Sequence, residues 1–310
     1  MMARQRWLLP WLLMAPGLAW LALFFVLPNI QMVAMSLSSG SLGRGFELTW
    51  SVDNYVRALT QFPDNMRNSI VYGGLATLLT FLIGYPLAYG IAFRGGRYKT
   101  ILLFLVIAPF FTSFLLRVIS WRIILGETGP ALWLARDVLG VVPRNFTIIN
   151  TPLAVVSGLV YQFLPFMVLP LYVALEKIDL RLVEAAQDLY AGPWRRRGAL
   201  VGGLVGGLVA TLVLVGLGFA SFDAAALIGV SVPVLATAAV GAFIGAFLIS
   251  ESFVRVIFPL SLPGVFAGSI LTFIPAIGDY VNAELLGNPR SQMIGNVIQS
   301  RFIDQNDYPL

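Results

Sequence analysis

The segment from Leu182 to Pro193 contains the residue types and spacing in this chain that are best suited to docking on another protein. It reads LVEAAQDLYAGP and lies between long apolar runs. Leu182, Ala186 and Leu189 fall at i, i+4 and i+7, which places them on one apolar stripe of a short helix. The pattern therefore predicts a short amphipathic helix with one face available for contact.

The flank and the end of this helix support the same interpretation. Ala185 and Ala186 keep it narrow enough to enter a cleft on another protein, and Glu184 and Asp188 are placed to pair with basic residues there. Gly192–Pro193 is a stop signal, because glycine caps a helix end and proline cannot continue a helix. The alternative is an amphipathic helix that lies on a membrane surface.

The composition indicates that the chain is built for lipid. Hydrophobic residues make up 58% of it and charged residues 11%, with a mean hydropathy of +0.84, whereas soluble domains carry about 25% charge. The absence of cysteine excludes disulfides and thiolate metal sites, and the absence of histidine excludes imidazole acid–base catalysis and most zinc chemistry. The composition therefore predicts a multi-pass membrane protein rather than a soluble enzyme.

Apolar runs of about 20 residues, which are needed to cross roughly 30 Å of hydrocarbon, supply the helices that must position the docking segment. The predicted spans are approximately residues 7–35, 68–93, 100–125, 152–175 and 262–277. The first run exceeds the 7–15 residues of a signal-peptide core and is interpreted as an uncleaved anchor. Polar connectors at 36–67, 126–151 and 278–310 are predicted to lie outside the cell.

The distribution of arginine and lysine predicts the orientation of these spans. If they alternate, the short connectors that are dense in basic residues all fall on one side. These residues are Arg4, Arg6, Arg94, Arg97, Lys99, Lys177, Arg181 and Arg195–Arg197. Because basic residues concentrate in cytoplasmic loops, the amino terminus and the docking segment are predicted to be cytoplasmic.

Residues 198–250 form an unusual apolar stretch with a single acidic residue, Asp223, near its middle. Each half is long enough to span the membrane, and Gly198, Gly202 and Gly206 repeat at four-residue spacing. Glycines with this spacing share a helix face and allow two backbones to approach closely. The segment is predicted to be a spanning helical hairpin; a re-entrant apolar insertion is the alternative.

Several passages carry a family resemblance. Leu182–Pro193 resembles the EAA signature of permease subunits of ATP-binding-cassette (ABC) importers, and FVRVIFPLSLPGV at 253–265 resembles the second half of that signature. The passages at 109–129 and 274–299 are similar to permeases of spermidine/putrescine importers. The chain is therefore identified as a member of the bacterial ABC importer permeases, and in particular of the polyamine permeases.

The resemblance implies an all-α, polytopic membrane helical bundle of the importer-permease type, with an inserted apolar helical hairpin. It implies three parts: residues 1–197, which end in the cytoplasmic coupling helix; the insertion, 198–252; and 253–310, with the last span and an external polar segment. It also implies a pathway for a small cationic solute, a polyamine, across the bacterial inner membrane. The residues assigned to ATPase coupling are Glu184, Ala185, Ala186, Asp188, Leu189 and Gly192.

The expected source of energy is a separate protein. No phosphate-binding motif of the form GxxxxGK[ST] occurs, and Lys99 and Lys177 are the only lysines, so the chain is not expected to be an ATPase or to bind a cofactor or metal of its own. The resemblance implies an ATPase dimer that binds the ATP, a second permease subunit that forms a heterodimer with this chain, and an extracytoplasmic substrate-binding protein. It implies no nucleic acid.

A polycationic solute would favour acidic or aromatic residues along its path. The predicted pathway residues lie at the outer ends of the last and the third span, and they are Trp121, Glu127, Asp279, Tyr280 and Glu284. The alternative is that these residues are interfacial anchors and loop residues.

Three departures from the family pattern accompany the resemblance. Tyr190 stands where the family usually has glycine, and about 55 residues separate Arg197 from Phe253, where the family's signature runs unbroken. The chain stops at Leu310, where the family enters a final span, which leaves either a truncated C-terminus or a missing helix as the expectation.

The rival function is an ion- or proton-driven secondary transporter. It would require ionisable residues in mid-span, and the predicted spans are almost free of them. Arg117 and Arg122 are expected to lie toward the outer end of their helix and to extend to the interface.

Overall fold

The computed structural model describes residues 2–41, 45–138, 146–179, 181–182, 184–185 and 253–304. The inserted hairpin predicted for 198–252 and most of the predicted coupling helix lie outside these residues. The chain divides into two compact units, Met1–Pro63 with Val297–Leu310, and Asp64–Asn296.

The first unit begins with a long apolar helix and continues into a small hairpin. Helix α1 (Met2–Leu21) continues through a π-helical turn, Ala22–Val26, into α2 (Leu27–Ser36). Strand β1 (Ser38–Ser41) pairs antiparallel with β2 (Gly45–Leu48), and α3 (Asp53–Gln61) follows. The hairpin is a local departure from an all-α chain.

Backbone conformation and side-chain hydrogen bonds hold this hairpin in place. Gly45 has a φ of +83°, a value that glycine adopts without strain. The buried Asn54 on α3 donates from Nδ2 to the carbonyl oxygens of Ser36 and Ser38, at 2.9 Å each. The side chain of Asn54 therefore ties α3 to the end of α2 and to the start of β1.

All regular secondary structure in the described residues of the second unit is helical. Its helices are α4 (Pro63–Tyr89), α5 (Lys99–Ile107), α6 (Phe114–Leu125), α7 (Pro130–Trp133), α8 (Pro152–Glu176), α9 (Phe258–Ile277), α10 (Val281–Leu286) and α11 (Ile294–Gln299). Helix α4 begins at the boundary with the first unit, and α11 crosses it. Short 3₁₀ segments lie at Gly96–Tyr98, Ala108–Phe111 and Pro289–Ser291, and π-helical turns at Gly90–Arg94, Leu134–Val138 and Phe253–Ile257. A further π-helical turn, Ser300–Asp304, belongs to the first unit.

Four helices within the described residues are long and apolar enough to cross a membrane. They cover Trp11–Ser36, Pro63–Arg94, Pro152–Glu176 and Phe253–Ile277. A fifth crossing results if the bent pair Gly96–Phe111 and Phe114–Trp133 counts as one span. The all-α, polytopic architecture predicted from the apolar runs is confirmed.

The third span differs from the continuous helix that the apolar run at 100–125 predicts, because its two parts meet at an angle of 96°. Pro109 has no backbone N–H to donate, which weakens the helix at this point. Thr112 is extended, and both its backbone N–H and its hydroxyl donate to the carbonyl oxygen of Pro109, at 3.2 and 2.7 Å. These bonds satisfy the backbone at the corner.

The corner also determines the position of Arg117. This residue lies in the first turn of α6, and its guanidinium is 5.0 Å from the ring centroid of Phe110 and 6.0 Å from that of Phe114. Its Nε is buried and has no hydrogen-bond partner. Arg117 therefore contacts aromatic rings beside the break, and its extension to the interface stays a prediction.

Helix α8 is the centre of this unit. Val155, Leu159, Met167 and Leu171 are all fully buried along it. Helix α9 crosses it closely at Gly264, where an added Cβ would lie 2.5 Å from the Cβ of Ala174. The core around α8 therefore depends on the lack of a side chain at this crossing.

Candidate functional site

Three polar side chains are buried together where the first half of α8 meets the segment after α9. Gln162 and Asp279 each expose 9% of their surface, and Asn282 exposes 1%. Gln162 comes from the middle of an apolar helix, whereas the other two flank the start of α10. Buried polar groups are costly unless they bond to one another, and these three do.

The hydrogen bonds of this cluster centre on the carboxylate of Asp279. Its Oδ1 accepts from the backbone N–H of Asn282 at 2.8 Å, in the manner of a helix cap. Its Oδ2 accepts from Asn282 Nδ2 at 3.0 Å and from Gln162 Nε2 at 3.4 Å. Asn282 Nδ2 also donates to Gln162 Oε1 at 3.3 Å, which closes the network between α8 and α10.

A glycine on α8 makes room for this contact. Gly158 lies one helical turn before Gln162, and a Cβ at Gly158 would be 2.7 Å from Asn282 Oδ1 and 2.6 Å from Leu286 Cδ1. Asn282 Oδ1 is buried without a hydrogen-bond partner. The close approach of α10 to α8 therefore depends on a residue without a side chain.

Asp279 forms no ion pair with the residues that the structure describes. Burial raises the pKa of its carboxyl group, and hydrogen bonds from Asn282 and from the backbone of Val281 oppose that rise. The two ion pairs found among the described residues are Arg67–Asp64 and Lys99–Glu176, and neither includes Asp279. The hydrogen bonds from Asn282 and Gln162 therefore stabilise the carboxylate of Asp279, whereas its burial favours the protonated form.

An aromatic pair joins α6 to α8 beside the polar cluster. Trp121 of α6 stacks on Tyr161, with ring centroids 5.1 Å apart and an interplanar angle of 3°. Its indole Nε1 donates to Ser157 Oγ at 3.2 Å. Since Tyr161 precedes Gln162 in sequence, the aromatic pair and the polar cluster are both positioned by the same turns of α8.

The structure thus separates the predicted pathway residues into two sets. Trp121 and Asp279 contact neighbouring residues of α8, as described above. Glu127, Tyr280 and Glu284 are exposed on connectors or on the short α10. Their membership of a pathway stays a prediction.

The segment that carries Asp279 and Glu284 is also fastened to α4. Asn68 Nδ2 donates to the carbonyl oxygens of Arg290 at 2.9 Å and of Gln292 at 3.1 Å. The backbone N–H of Ile294 donates to Ser69 Oγ at 2.8 Å. These bonds make the connector a fixed part of the second unit.

Sequence reasoning did not identify Gln162, Asn282 or Tyr161. The available signal was the pair Tyr161–Gln162 inside the apolar run of α8, because polar side chains inside a span generally pair or carry function. Asn282 gave no comparable signal, since its partners lie on another element.

The predicted coupling helix is described only at its start. Arg181, Leu182, Glu184 and Ala185 are helical and exposed, and Asp179 Oδ1 accepts from the backbone N–H of Arg181 at 2.9 Å. The predicted residues Ala186, Asp188, Leu189 and Gly192 lie outside the described residues. The exposure of Glu184 is compatible with both docking on a partner and lying on a membrane.

Comparison with known proteins adds an independent line of observation. No family model matches the chain. It is 31% identical over 292 residues to the spermidine/putrescine transport system permease protein PotB of Haemophilus influenzae, covering 94% of this chain and 82% of that protein. It is 30% identical over 295 residues to PotB of Escherichia coli, covering 94% and 85%. It is 24% identical over 237 residues to the inner membrane ABC transporter permease protein YdcU of Escherichia coli, covering 73% and 57%.

Proposed function

This chain belongs to the permease subunits of bacterial ABC importers, and from that premise we propose that its cargo is a polyamine, spermidine or putrescine. The observation that carries the proposal is the 31% identity to a spermidine/putrescine permease across 94% of the chain. The chain is an inner-membrane transport subunit, and in the proposed role it forms part of the path by which the solute enters the cell.

The proposed energy source is an ATPase dimer bound on the cytoplasmic side. The chain has no GxxxxGK[ST] motif, so the ATP is held by the partner. The basic connectors around Arg94–Lys99 and Lys177–Arg181 support a cytoplasmic amino terminus and a cytoplasmic coupling segment. A second permease subunit and an external binding protein complete the proposed importer.

The proposed parts of the chain follow from this assembly. Residues 1–197 supply the first spans and end in the coupling helix. Residues 253–310 supply the last span and the segment that carries Asp279. The insertion between them, 198–252, is proposed to be an apolar hairpin that keeps its two flanks on the same side of the membrane.

The proposed contact with the solute is at the segment 279–284 and the adjacent aromatic pair. A protonated amine is attracted to the buried carboxylate of Asp279 and to the exposed carboxylate of Glu284. The ring faces of Trp121 and Tyr161 offer cation–π contacts to the same kind of group. Glu127 and Tyr280 are proposed to line the approach.

Transport by the reconstituted importer tests the cargo. The chain is co-purified from its native membrane with its ATPase, second permease and binding protein, and the complex is placed in liposomes. We expect spermidine or putrescine to stimulate ATP hydrolysis and to accumulate inside the vesicles. A complex that is active with another solute and indifferent to both polyamines would refute this cargo.

Charge substitutions test the proposed contact. The joint variant Asp279→Asn and Glu284→Gln keeps side-chain size and removes both charges. It is expected to weaken polyamine uptake more than uptake of a neutral solute by the same complex. Equal effects on both solutes would leave these residues as structural parts of the connector.

A charge reversal tests the coupling segment. Glu184→Lys is expected to reduce both ATPase association and transport while the amount of protein in the membrane stays constant. Glu47→Lys, an equally exposed reversal on β2, is the matched control and should leave both unchanged. Unchanged association in the Glu184 variant would contradict the assignment.

A further inference from the structure

An apolar cleft of about 810 Å³ runs between α8 and α9. Its walls include Val173 on α8 and Leu260 and Leu271 on α9, and about half of each of these side chains is exposed. Two charged residues, Lys177 and Asp179, are the exceptions and lie at the end of the cleft where α8 terminates. The cleft is therefore an apolar surface that extends along two membrane helices.

The floor of the cleft is formed by small residues. Pro170 and Ala174 of α8 and Gly264 and Ala267 of α9 line it, and the missing Cβ of Gly264 lets α8 and α9 themselves approach closely there. Small residues at a helix surface admit another helix at short distance, above all a helix whose own contact face is glycine. The shape of the cleft is thus suited to a glycine-faced apolar helix.

The path of the chain brings such a segment to the cleft. Leu182, just before the point where the chain passes into residues 186–252, lines the cleft. The chain returns at Phe253 and reaches Leu260, a wall residue, after the π-helical turn that leads into α9. The inserted segment therefore departs beside this surface, and the chain that follows it reaches the wall of the cleft seven residues after Phe253.

The composition of the inserted segment complements the cleft. Its first half, 198–222, is uncharged and carries Gly198, Gly202 and Gly206 at four-residue spacing. The basic run Arg195–Arg197 directly precedes it, and the exposed carboxylate of Asp179 lies at the matching end of the cleft. We propose that residues 198–222 run back along α8 and fill the α8–α9 cleft with their glycine face.

This arrangement gives the insertion a specific consequence. A surface of α8 and α9 that is open to a second polypeptide becomes covered by the chain itself. The other possible occupants, a second permease subunit and membrane lipid, are distinguished by the experiment.

Photo-crosslinking in the intact complex identifies the occupant. A benzophenone amino acid is introduced at Leu271, in the wall of the cleft, and in a separate variant at Ile270, which is 56% exposed and does not line the cleft. The complex is irradiated in the native membrane, and the crosslinked peptides are identified by mass spectrometry. We expect peptides of 198–222 from the Leu271 position and none from the Ile270 position.

Two other crosslinking results would contradict the proposal. Crosslinks from the Leu271 position to another subunit, or to lipid alone, would overturn the proposal. The same 198–222 peptides at similar yield from both positions would overturn it as well, since contact would not be specific to the cleft.

A second variant tests the glycine face and does not depend on the Leu271 side chain. Gly202→Leu with Gly206→Leu is expected to abolish most of the crosslinking from a benzophenone placed at Val173, the opposite wall. Thr211→Leu is the matched control and should preserve it, because at helical spacing this residue falls on the side away from Gly202 and Gly206. An undiminished yield in the double variant would refute packing through these glycines.

Discussion

The first half of α8 contacts its neighbour in a different way from the second half. Around Gly158 and Gln162, hydrogen bonds between polar side chains join the helix to α10. Around Met167 and Ala174, the helix meets α9 through glycines, with no comparable polar network among the described residues. Polar bonds fix one particular partner geometry at the first contact, whereas shape alone does so at the second.

The difference shows two ways in which the packing arrangement of a membrane helix with its neighbours can be specified. An apolar crossing is stabilised by close packing, because lipid is as apolar as the partner helix. A buried carboxylate with directed donors adds a penalty for every arrangement that leaves a donor unpaired. The predictions below alter each contact separately.

The apolar crossing is expected to be the more sensitive one to added volume. Gly264→Leu would drive a side chain into Ala174 Cβ and the carbonyl oxygen of Pro170, which lie 2.5 and 2.7 Å from the position of the first added atom. Overpacking against backbone should destabilise the protein by about 3 kcal/mol. Thermal unfolding of the purified complex measures it, with Gly74→Leu, where 4 Å of space is free, as control. Equal melting temperatures would contradict the crossing.

Breaking the polar contact is expected to have the second-largest effect on stability. Asp279→Leu leaves the backbone N–H of Asn282 and the Nε2 of Gln162 without their acceptor, and Asn282 Nδ2 keeps only Gln162 Oε1. This should cost about 2 kcal/mol. Glu284→Gln, on the exposed side of the same short helix, should change the melting temperature little. An equal loss of melting temperature in both variants would show that the loss in Asp279→Leu does not come from its hydrogen-bond network.

The pH dependence of stability separates the charge of Asp279 from its shape. Because burial raises the pKa of this carboxyl group in the folded protein, the folded state binds its proton more tightly than the unfolded state does. Its contribution to stability is full below the unfolded pKa and is lost as pH rises through the raised folded pKa. Melting temperatures across that window should fall in the parent and change less in Asp279→Asn. The same dependence of melting temperature on pH in the parent and in Asp279→Asn would show that titration of Asp279 does not cause the fall.

A smaller effect is expected at Gly158. Gly158→Ala places a Cβ 2.6 Å from Leu286 Cδ1 and 2.7 Å from Asn282 Oδ1, both at the ends of side chains that can move. The expected cost is about 1 kcal/mol. Asn282→Ala removes one of these contacts, so the double variant should lose less than the sum of the two single ones. Additive losses would show that the two residues do not interact.

The smallest effect is expected at the aromatic pair. Trp121→Phe keeps a ring to stack on Tyr161 and removes the Nε1 hydrogen bond to Ser157 Oγ. The loss should be about 0.5–1 kcal/mol in thermal unfolding, and Ser157→Ala should reproduce it. A much larger loss of stability in Trp121→Phe than in Ser157→Ala would show that the indole stabilises the protein mainly through packing of its larger ring.

The sequence was sufficient for features that depend on local composition. Apolar length predicted spans at about 7–35, 68–93, 152–175 and 262–277, and the structure has helices there, although the second begins at Pro63 and the last already at Phe253. The motif resemblance predicted the family, which is confirmed. The corner at Thr112 was not predicted, because apolar length does not report a change of direction. Its signal was Pro109, which removes one backbone donor.

Contacts between residues that are far apart in the sequence could not be predicted from the sequence alone. Gln162 and Asn282 meet because α8 and α10 pack against each other at Gly158, and no spacing in the chain encodes that pairing. The structure shows which residues Trp121 and Asp279 contact, whereas their roles in binding a solute stay predictions. The coupling residues from Ala186 onward and the insertion lie outside the part of the chain that the structure describes.

The position of Arg117 has a consequence for the handling of positive charge by this chain. Its guanidinium lies over the rings of Phe110 and Phe114 beside the corner of a broken span, and one of its nitrogens is buried without a hydrogen-bond partner. Electron-rich ring faces attract a cation that lies over them. Aromatic faces beside the corner thus accommodate a permanent positive charge within a broken span.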